Sequence, residues 1–374
     1  MASSSSSSLA TTLQRAWQRR GALACALWPL SLLFRCVSGL RALLFRCGVL
    51  GSTRLPVPVI VVGNIFIGGT GKTPLTIWLA EALRGAGFTP GIISRGHGGA
   101  DSAPHSAPHS ASHSAPHSAS HSAPHSASRS APRAVTADSS ARDVGDEPLL
   151  IARRTGCPVV VGRDRGAAGR ALLAAHPDVD VILTDDGLQH YALRRDIEIM
   201  LFDGRGVGNG WLLPAGPLRE APSRRRDFTI VNAPELTPAL RQAVGGQPFR
   251  MQLAGEFAEP LARPGQRVPL ASLAGRRLVA ACGIGNPQRF FTLLRGAGLE
   301  VLELPLPDHH DFRDQPFAAI EADCILITEK DAVKCAQIEN LKNDPRLWVV
   351  PVTAQLDSAL AEHIVEKCRG CSTA

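Results

Sequence analysis

Glycine, lysine and threonine stand together in one short run, and their spacing suits the binding of a phosphate group. The run Gly68-Gly69-Thr70-Gly71-Lys72-Thr73 follows an apolar segment, 57–62, and precedes a helix predicted over 74–85. Glycines let backbone N–H groups converge on phosphate oxygens, and a helix N-terminus adds partial positive charge. In such a loop the lysine reaches the β- and γ-phosphates of a nucleotide and the threonine hydroxyl binds Mg²⁺. Phe66 stands where the general pattern has glycine, so the loop is a variant; a structural glycine-rich turn is the alternative.

Two carboxylates follow another apolar strand. Asp185 and Asp186 come directly after the run 181–184. Because the carboxyl ends of parallel strands meet at one edge of a sheet, these oxygens suit a Mg²⁺ ligand or its bridging water beside the phosphate loop. An acidic pair after a strand also occurs in ordinary turns, so the nearby loop is what favours the metal role.

Two more clusters carry groups that transfer protons. Asp146, in Gly145-Asp146-Glu147-Pro148, precedes a predicted helix, where it either caps that helix or accepts a proton from an attacking hydroxyl. The run Asp308-His309-His310-Asp311 either orients a base and holds a phosphate or forms a solvated loop. The residue types alone leave both alternatives open at each cluster.

The elements that must position these residues are strands alternating with helices. Apolar runs at 57–62, 158–161, 179–184, 197–202 and 228–231 are separated by helix-like stretches. This pattern predicts an α/β fold with a mostly parallel sheet covered on both faces, over a domain spanning 55–255. We expect a linker over 256–274, rich in proline and glycine, and a smaller α/β domain over 275–374, with strands at 278–282, 299–304 and 324–328.

The N-terminal region is basic and apolar. Residues 1–54 hold seven arginines and no lysine or acidic residue, which accounts for the whole net charge of +7 in the 374 residues. Because the folded domains are then neutral overall, a nucleic-acid role is disfavoured. Arginines within the apolar stretch 21–50 argue against a signal peptide and a spanning helix. We expect 15–54 to lie in the membrane interface with its arginines at anionic head groups; a soluble core helix is the alternative.

Two segments have low complexity. Six serines at 3–8 predict a disordered start over 1–14, and eight tandem Ser-Ala-(Pro/Ser)-(His/Arg) tetrads predict a disordered insert over 102–133. The nine cysteines lack a disulfide framework spacing, which is typical of reduced thiols in a cytosolic compartment.

An ordered series of motifs resembles one enzyme family. The runs LPVPVIVVGNIFIGGTGKTP, ISRGHGG, GDEPLL, VILTDDGLQH, WLLPAGPLRE, PDHHDF and ITEKDAVKC occur in this order. Together they resemble the tetraacyldisaccharide 4′-kinases, the lipid A kinases of Gram-negative bacteria, over about residues 13–360. The resemblance implies a P-loop NTPase-like core, ATP and Mg²⁺, and phosphoryl transfer to the 4′-hydroxyl of a tetraacylated glucosamine disaccharide 1-phosphate, giving lipid IVA. It also implies a membrane-associating helix and a place at the cytoplasmic face of the inner membrane, as a peripheral or monotopic protein.

The resemblance further implies roles for single residues. Asp146 becomes the general base, acting with His309, while Lys72 and Asp186 complete the catalytic group. Arg219, in Pro-Leu-Arg-Glu, is a candidate for phosphate contact. The metal-side oxygens are those of Thr73, Asp185 and Asp186, and the ATP-binding run is Phe66, Ile67, Gly68, Gly69, Thr70, Gly71, Lys72 and Thr73.

The chain departs from the family pattern where no chemistry is assigned. The loop between Gly99 and Val135 is long, His97 replaces a usual tyrosine, and the serine-rich start is an extension.

Two other functions compete with the kinase. One is a membrane-bound ATPase switch of the partitioning or division-site type, in which a lysine precedes the first glycine of the loop; Ile67 occupies that position here. The other is a nucleotide-dependent scaffold without turnover. The presence of all four candidate residues disfavours it: Lys72, Thr73, Asp185 and Asp186.

Overall fold

The structure is a computed structural model that describes residues 16–96 and 131–371. The predicted disordered start, His97 and residues 102–130 of the predicted insert lie outside these ranges. At the other end of that insert, Arg133 pairs with Val161 and Ala134 with Val160 in a short antiparallel bridge. The expected disorder over 102–133 is therefore wrong at its last position, because residue 133 belongs to a strand.

Strands and helices alternate along most of the described chain. The strands are β1 (Val59–Gly63), β2 (Pro90–Ser94), β3 (Arg133–Ala134), β4 (Val159–Val161), β5 (Val181–Asp185), β6 (Ile197–Asp203), β7 (Phe228–Asn232), β8 (Phe249–Ala254), β9 (Phe257–Pro260), β10 (Val268–Pro269), β11 (Leu278–Cys282), β12 (Val301–Pro305), β13 (Cys324–Thr328), β14 (Leu347–Val350) and β15 (Thr353–Gln355). The helices are α1 (Ala22–Arg46), α2 (Lys72–Gly85), α3 (Ala141–Val144), α4 (Asp146–Thr155), α5 (Arg165–Ala175), α6 (Pro238–Val244), α7 (Pro287–Gly296), α8 (Glu329–Cys335), α9 (Glu339–Lys342) and α10 (Ser358–Arg369), with a 3-10 turn at Leu270–Leu273.

The larger sheet has the strand order β15-β8-β7-β6-β1-β5-β2-β4-β3. Its inner strands run parallel, and only the edge strands β3 and β15 are antiparallel to their neighbours. Every residue of β1 and β5 is buried, as expected for a sheet with both faces covered. Strand β1 pairs with β5 so that Val62 lies beside Asp185. The predicted α/β fold is confirmed, and the loop after β1 begins next to the carboxyl end of β5.

A smaller sheet has the order β10-β9-β14-β13-β11-β12. Strands β11 to β14 are parallel, while β9 and β10 add an antiparallel edge. The expected linker 256–274 thus contributes the edge strand β10 and its neighbour β9. Pro269 lies on the edge strand, where proline is tolerated because one side of the strand has no partner. The chain then returns, since β15 pairs with β8 and α10 packs under the larger sheet. We call the larger sheet with its helices the larger lobe, and the smaller sheet with its helices the smaller lobe.

Helix α1 lies against the larger lobe. It is long and apolar enough to cross a membrane by length and composition. One face is docked: Ser31 is 5% exposed and its Oγ donates to the Leu212 carbonyl at 2.8 Å, and the Trp28 ring lies 6.4 Å from that of Trp211. The other face exposes large apolar side chains, namely Leu30, Leu33, Val37, Leu40 and Leu43.

Candidate active site

Two buried asparagines shape the phosphate loop, residues 66–73. Asn64 follows β1, and its Nδ2 donates to the carbonyls of Phe66 (2.8 Å) and Gly68 (3.1 Å) and to Thr70 Oγ1 (3.0 Å). Asn232, at the end of β7, donates from Nδ2 to the Thr70 carbonyl at 2.9 Å. These hydrogen bonds satisfy the carbonyls of Phe66, Gly68 and Thr70, and they hold the loop in its conformation. No motif predicted a role for either residue, although an asparagine directly after a buried strand, as at Asn64, is a visible signal.

Two positions of this loop have a backbone conformation that favours glycine. Gly71 precedes α2 with φ of +100°, and a Cβ built there would lie 2.7 Å from Asn232 Nδ2. Gly68 has φ of +101°. Lys72 and Thr73 then open the first turn of α2, where backbone N–H groups lack partners within the helix. The variant loop therefore has the backbone that anion binding needs, although its first residue differs from the general pattern.

The paired carboxylates lie beside this lysine. Lys72 Nζ is 3.6 Å from Asp186 Oδ1, and it also donates to Asn64 Oδ1 at 3.4 Å. Asp185 is 1% exposed, and burial raises its pKa, as does the charge of Glu147, while Lys72 opposes the rise. The predicted adjacency of Lys72, Asp185 and Asp186 is present, and burial disfavours the charged form of Asp185.

Arg219 joins the same group from the loop after β6. Its guanidinium contacts Asn64 Oδ1, lies 3.6 Å from Asp186 Oδ2 and donates to Gln189 Oε1 at 3.3 Å. Arg219 and Lys72 therefore flank Asp186, and two cations meet where the phosphates of a nucleotide would extend from the loop.

The oxygens near the loop fit a magnesium ion. Among the described residues, no group of three or more His, Cys, Asp or Glu side chains forms a self-sufficient metal cluster. Mg²⁺ usually takes one or two carboxylates and completes its shell with waters and substrate phosphates. Asp185 Oδ1 is buried without a hydrogen-bond partner, which is the kind of orphaned acceptor that a cation would satisfy. Together with the hydroxyl of Thr73 and the carboxylate of Asp186, it makes a donor set of the right chemistry.

Asp146 and His309 meet across the two lobes. Asp146 begins α4, is 4% exposed, and accepts the Glu147 backbone N–H at Oδ1 (2.9 Å). Its Oδ2 accepts from His309 Nδ1 at 3.1 Å. The N-cap of α4 is Gly145, so the capping alternative for Asp146 is wrong, and Asp146 is the first residue of the helix. Its pairing with the imidazole is present, and the proton-accepting role stays a prediction.

Charges from the smaller lobe set the ionisation of this pair. Burial alone would raise the pKa of Asp146, but the His309 hydrogen bond and the charges of Lys330 and Lys334 outweigh it and lower that pKa. Both lysine Nζ atoms lie within 3.9 Å of Asp146 Oδ2. The bond to Asp146 in turn raises the pKa of His309, against the opposing effects of burial and Lys330. Asp146 is thus held as an anion that favours the protonated imidazole.

The neighbouring residues of the Asp308–Asp311 run form local loop structure. His310 Nδ1 accepts the Phe312 N–H at 3.1 Å, and its ring lies edge-on to the Phe312 ring. Asp311 Oδ1 accepts the Arg313 N–H at 3.2 Å. Of the two histidines, His309 is therefore the one that reaches the site.

The Thr328-Glu329-Lys330-Asp331 turn, which had no assignment from sequence, joins the lobes. Glu329 pairs with Arg154 of α4, and Lys330 Nζ lies 3.0 Å from Glu147 Oε1. Asp331 is fully buried and accepts the Gly283 backbone N–H at 3.0 Å, which fixes the loop after β11. The turn thus carries the contacts that hold α4 and its Asp146 against the smaller lobe.

A second contact between the lobes reaches the phosphate loop itself. Arg289, in α7, donates to the Gly69 carbonyl at 3.2 Å and lies 2.8 Å from Asp203 Oδ2. Asp203, at the end of β6, is 1% exposed and also pairs with Arg205, which stacks over the Phe66 ring. No motif marked Arg289, because its role depends on a contact with a residue 220 positions away.

One cavity of about 1220 Å³ collects these features. Its lining begins at Ile67 and includes the loop through Thr73, together with Asp186, Arg219 and, from the smaller lobe, His309. Phe66 opens the loop from the core, where its ring is 7% exposed. Asp146 stands behind His309, and its side chain is 5% exposed against 41% for the imidazole.

The chain is similar to known proteins over nearly its whole length. The family model described as Tetraacyldisaccharide-1-P 4′-kinase (LpxK) matches residues 23–119 and 124–369. The tetraacyldisaccharide 4′-kinase of Herminiimonas arsenicoxydans is 58% identical, covering 98% of both chains, and that of Azoarcus sp. (strain BH72) is 46% identical over 94% of both. A crystal structure of LpxK from Aquifex aeolicus in complex with ATP is 27% identical, with a TM-score of 0.70 over 92% of this chain and 99% of that one. The chain belongs to the tetraacyldisaccharide-1-P 4′-kinase family.

Proposed function

We propose that the chain transfers the γ-phosphoryl group of ATP to the 4′-hydroxyl of a tetraacylated glucosamine disaccharide 1-phosphate, giving lipid IVA. The observation that carries this proposal is the single cavity lined by the phosphate loop of the larger lobe and by His309 of the smaller lobe. A nucleotide on the loop and a hydroxyl at the imidazole would face each other there. Phosphoryl transfer needs this kind of alignment, together with neutralisation of charge.

The larger lobe supplies the nucleotide side of the reaction. Backbone N–H groups of 68–73 hold the phosphates, Lys72 contacts the β- and γ-phosphates, and Arg219 adds a second cation beside Asp186. Thr73, Asp185 and Asp186 would hold Mg²⁺. When bound, the ion neutralises charge on the transferring group, and it also favours the ionised form of the buried Asp185.

The Asp146–His309 pair accepts the proton of the attacking hydroxyl. The imidazole lines the cavity, and its Nδ1 is engaged by the Asp146 carboxylate, which fixes Nδ1 as the protonated nitrogen. Nε2 is therefore the ring nitrogen that remains to accept a proton. As the hydroxyl attacks phosphorus, the proton moves to Nε2, and the buried anion stabilises the imidazolium that forms. This proposal gives the proton to His309, whereas the resemblance implies Asp146 as the base; Asp146 contributes to base catalysis through His309.

The acceptor stays in a lipid surface during the reaction. The exposed apolar face of α1 supports a peripheral or monotopic placement at the cytoplasmic face of the bacterial inner membrane, where ATP is available. Acyl chains would remain in the bilayer while the disaccharide head group reaches the cavity.

Label transfer from γ-labelled ATP tests the reaction. The acceptor is tetraacyldisaccharide 1-phosphate in detergent micelles, with Lys72→Ala as the inactive control. We expect label on the lipid with the natural chain and none with Lys72→Ala. Label released only as free phosphate would contradict the proposal and favour the ATPase switch. Tight ATP binding with no consumption would favour the scaffold.

A further inference from the structure

Helix α1 reaches toward the catalytic cavity through a turn of the larger lobe. This turn, residues 187–191, follows Asp186 and is closed by a bond from the His190 N–H to the Gly187 carbonyl at 3.0 Å. Arg41, on the last third of α1, donates to the Gln189 carbonyl in the turn at 3.2 Å. Arg41 had been expected only at lipid head groups, so this inward contact is a separate finding.

The first route from α1 to the site runs through Gln189. Its Oε1 accepts from Arg219 at 3.3 Å, and its Nε2 donates to the Asn64 carbonyl at 3.4 Å. Arg219 in turn stands 3.6 Å from Asp186. Two residues therefore separate Arg41 from the carboxylate beside Lys72, and each link is a direct polar contact.

The second route runs through Tyr191, the one tyrosine of the sequence. Its ring stacks on Phe45 of α1 with centroids 6.0 Å apart, and the Arg41 guanidinium lies 5.8 Å from the same ring. The Tyr191 hydroxyl donates to Glu220 Oε2 at 2.6 Å, and Glu220 directly follows Arg219 in the chain. Arg224 donates to the oxygen of the same hydroxyl at 2.7 Å. The hydroxyl proton is therefore directed to Glu220.

We infer that Arg41 is a positioning residue for the phosphoryl transfer: a seated α1 holds the 187–191 turn, and through Gln189 and Tyr191 it aligns Arg219 with the phosphates. The inference rests on the proposed function. It assigns α1 a second role beside membrane association, because the lipid surface that covers the exposed face of the helix also keeps its docked face in contact with the turn. The expected effect is partial, since Arg195 also bonds the turn, at the carbonyls of Leu188 and His190.

The chain offers a matched control in Arg35. It lies on the same helix, is exposed and carries the same charge, and within the described residues no hydrogen bond, ion pair or ring contact involves its side chain. Arg35→Ala and Arg41→Ala should therefore lose similar amounts of binding to vesicles containing an anionic phospholipid. Only Arg41→Ala also breaks the contact with Gln189.

The test is label transfer with the full chain at saturating ATP and lipid, in micelles where vesicle binding does not limit the rate. We expect kcat of Arg41→Ala to fall about three- to tenfold below that of Arg35→Ala, the range of one lost hydrogen bond, with the KM for ATP nearly unchanged. Tyr191→Phe, which removes one oxygen and no charge, should lower kcat similarly while vesicle binding stays at the natural level.

Equal kcat values for Arg41→Ala and Arg35→Ala would overturn the inference, as would a natural kcat for Tyr191→Phe. Should Arg41→Ala fail to fold, Tyr191→Phe alone decides. If the natural chain places no label on the lipid, the proposed function fails instead, so the two failures are distinguishable.

Discussion

Replacing Gly71 by alanine tests whether the loop backbone, and not only its lysine, binds the phosphates. The left-handed conformation at φ of +100° costs an alanine about 1–2 kcal/mol. The new Cβ would stand 2.7 Å from Asn232 Nδ2, so the bond from Asn232 to the Thr70 carbonyl must lengthen or break, at about 1 kcal/mol. The sum of about 2–3 kcal/mol predicts a fall in kcat/KM for ATP of about 30- to 150-fold.

The matched control is Gly69→Ala in the same loop. A Cβ at Gly69 meets nothing within 4 Å of the described chain, and φ there is outside the left-handed range. Steady-state label transfer with varied ATP gives kcat/KM for both variants, and thermal unfolding checks that both remain folded. A loss for Gly71→Ala within threefold of that for Gly69→Ala would refute the argument, because backbone strain and the Asn232 contact would then have no part in nucleotide binding.

Three further predictions follow from the contacts around the cavity. His309 must be neutral to accept a proton, so activity should fall as pH drops through its raised pKa. Asp146→Asn should move this acid limb of the kcat–pH profile to lower pH. An unmoved limb would exclude the Asp146–His309 pair as the proton acceptor. Arg289→Ala should raise the KM for ATP about three- to tenfold, whereas Arg295→Ala, an exposed residue on the same helix, should change it less. Leu33→Ser should lower the affinity for vesicles, measured by sedimentation, about tenfold without lowering the unfolding temperature, because Leu33 is 61% exposed. A lowered unfolding temperature would show instead that this side chain is packed in the fold.

Local sequence patterns predicted the parts of the site that depend on neighbours in the chain. The loop after β1 and the carboxylates after β5 were placed together because the ends of adjacent parallel strands share one sheet edge, and Val62 does pair with Asp185. The return of β15 to the larger sheet was not predicted, since that strand pairs with β8 about one hundred residues earlier. Short strands carry too little periodicity to specify such a distant partner.

Residues whose roles depend on contacts with the other lobe could not be predicted either, because their partners are distant in the sequence. Nothing near Arg289 in the sequence indicates a phosphate loop, because the contact exists only once α7 is packed. The Asp146 motif was ambiguous because a carboxylate at a helix start has a local use as well as a distant one. In the structure Gly145 is the N-cap, one Asp146 oxygen accepts the neighbouring Glu147 N–H, and the other contacts His309 of the smaller lobe.

The charges that make His309 a better base also hold the lobes together. Asp146 is 4% exposed, and the smaller lobe contributes His309, Lys330 and Lys334 as its cationic partners. Separating the lobes would remove the hydrogen bond and the two lysine charges that outweigh burial at Asp146. The ionised state of Asp146 therefore favours the closed arrangement, in which the imidazole faces the cavity. A variant that neutralises Asp146 should loosen the lobes and lower proton transfer together, because one buried charge maintains both.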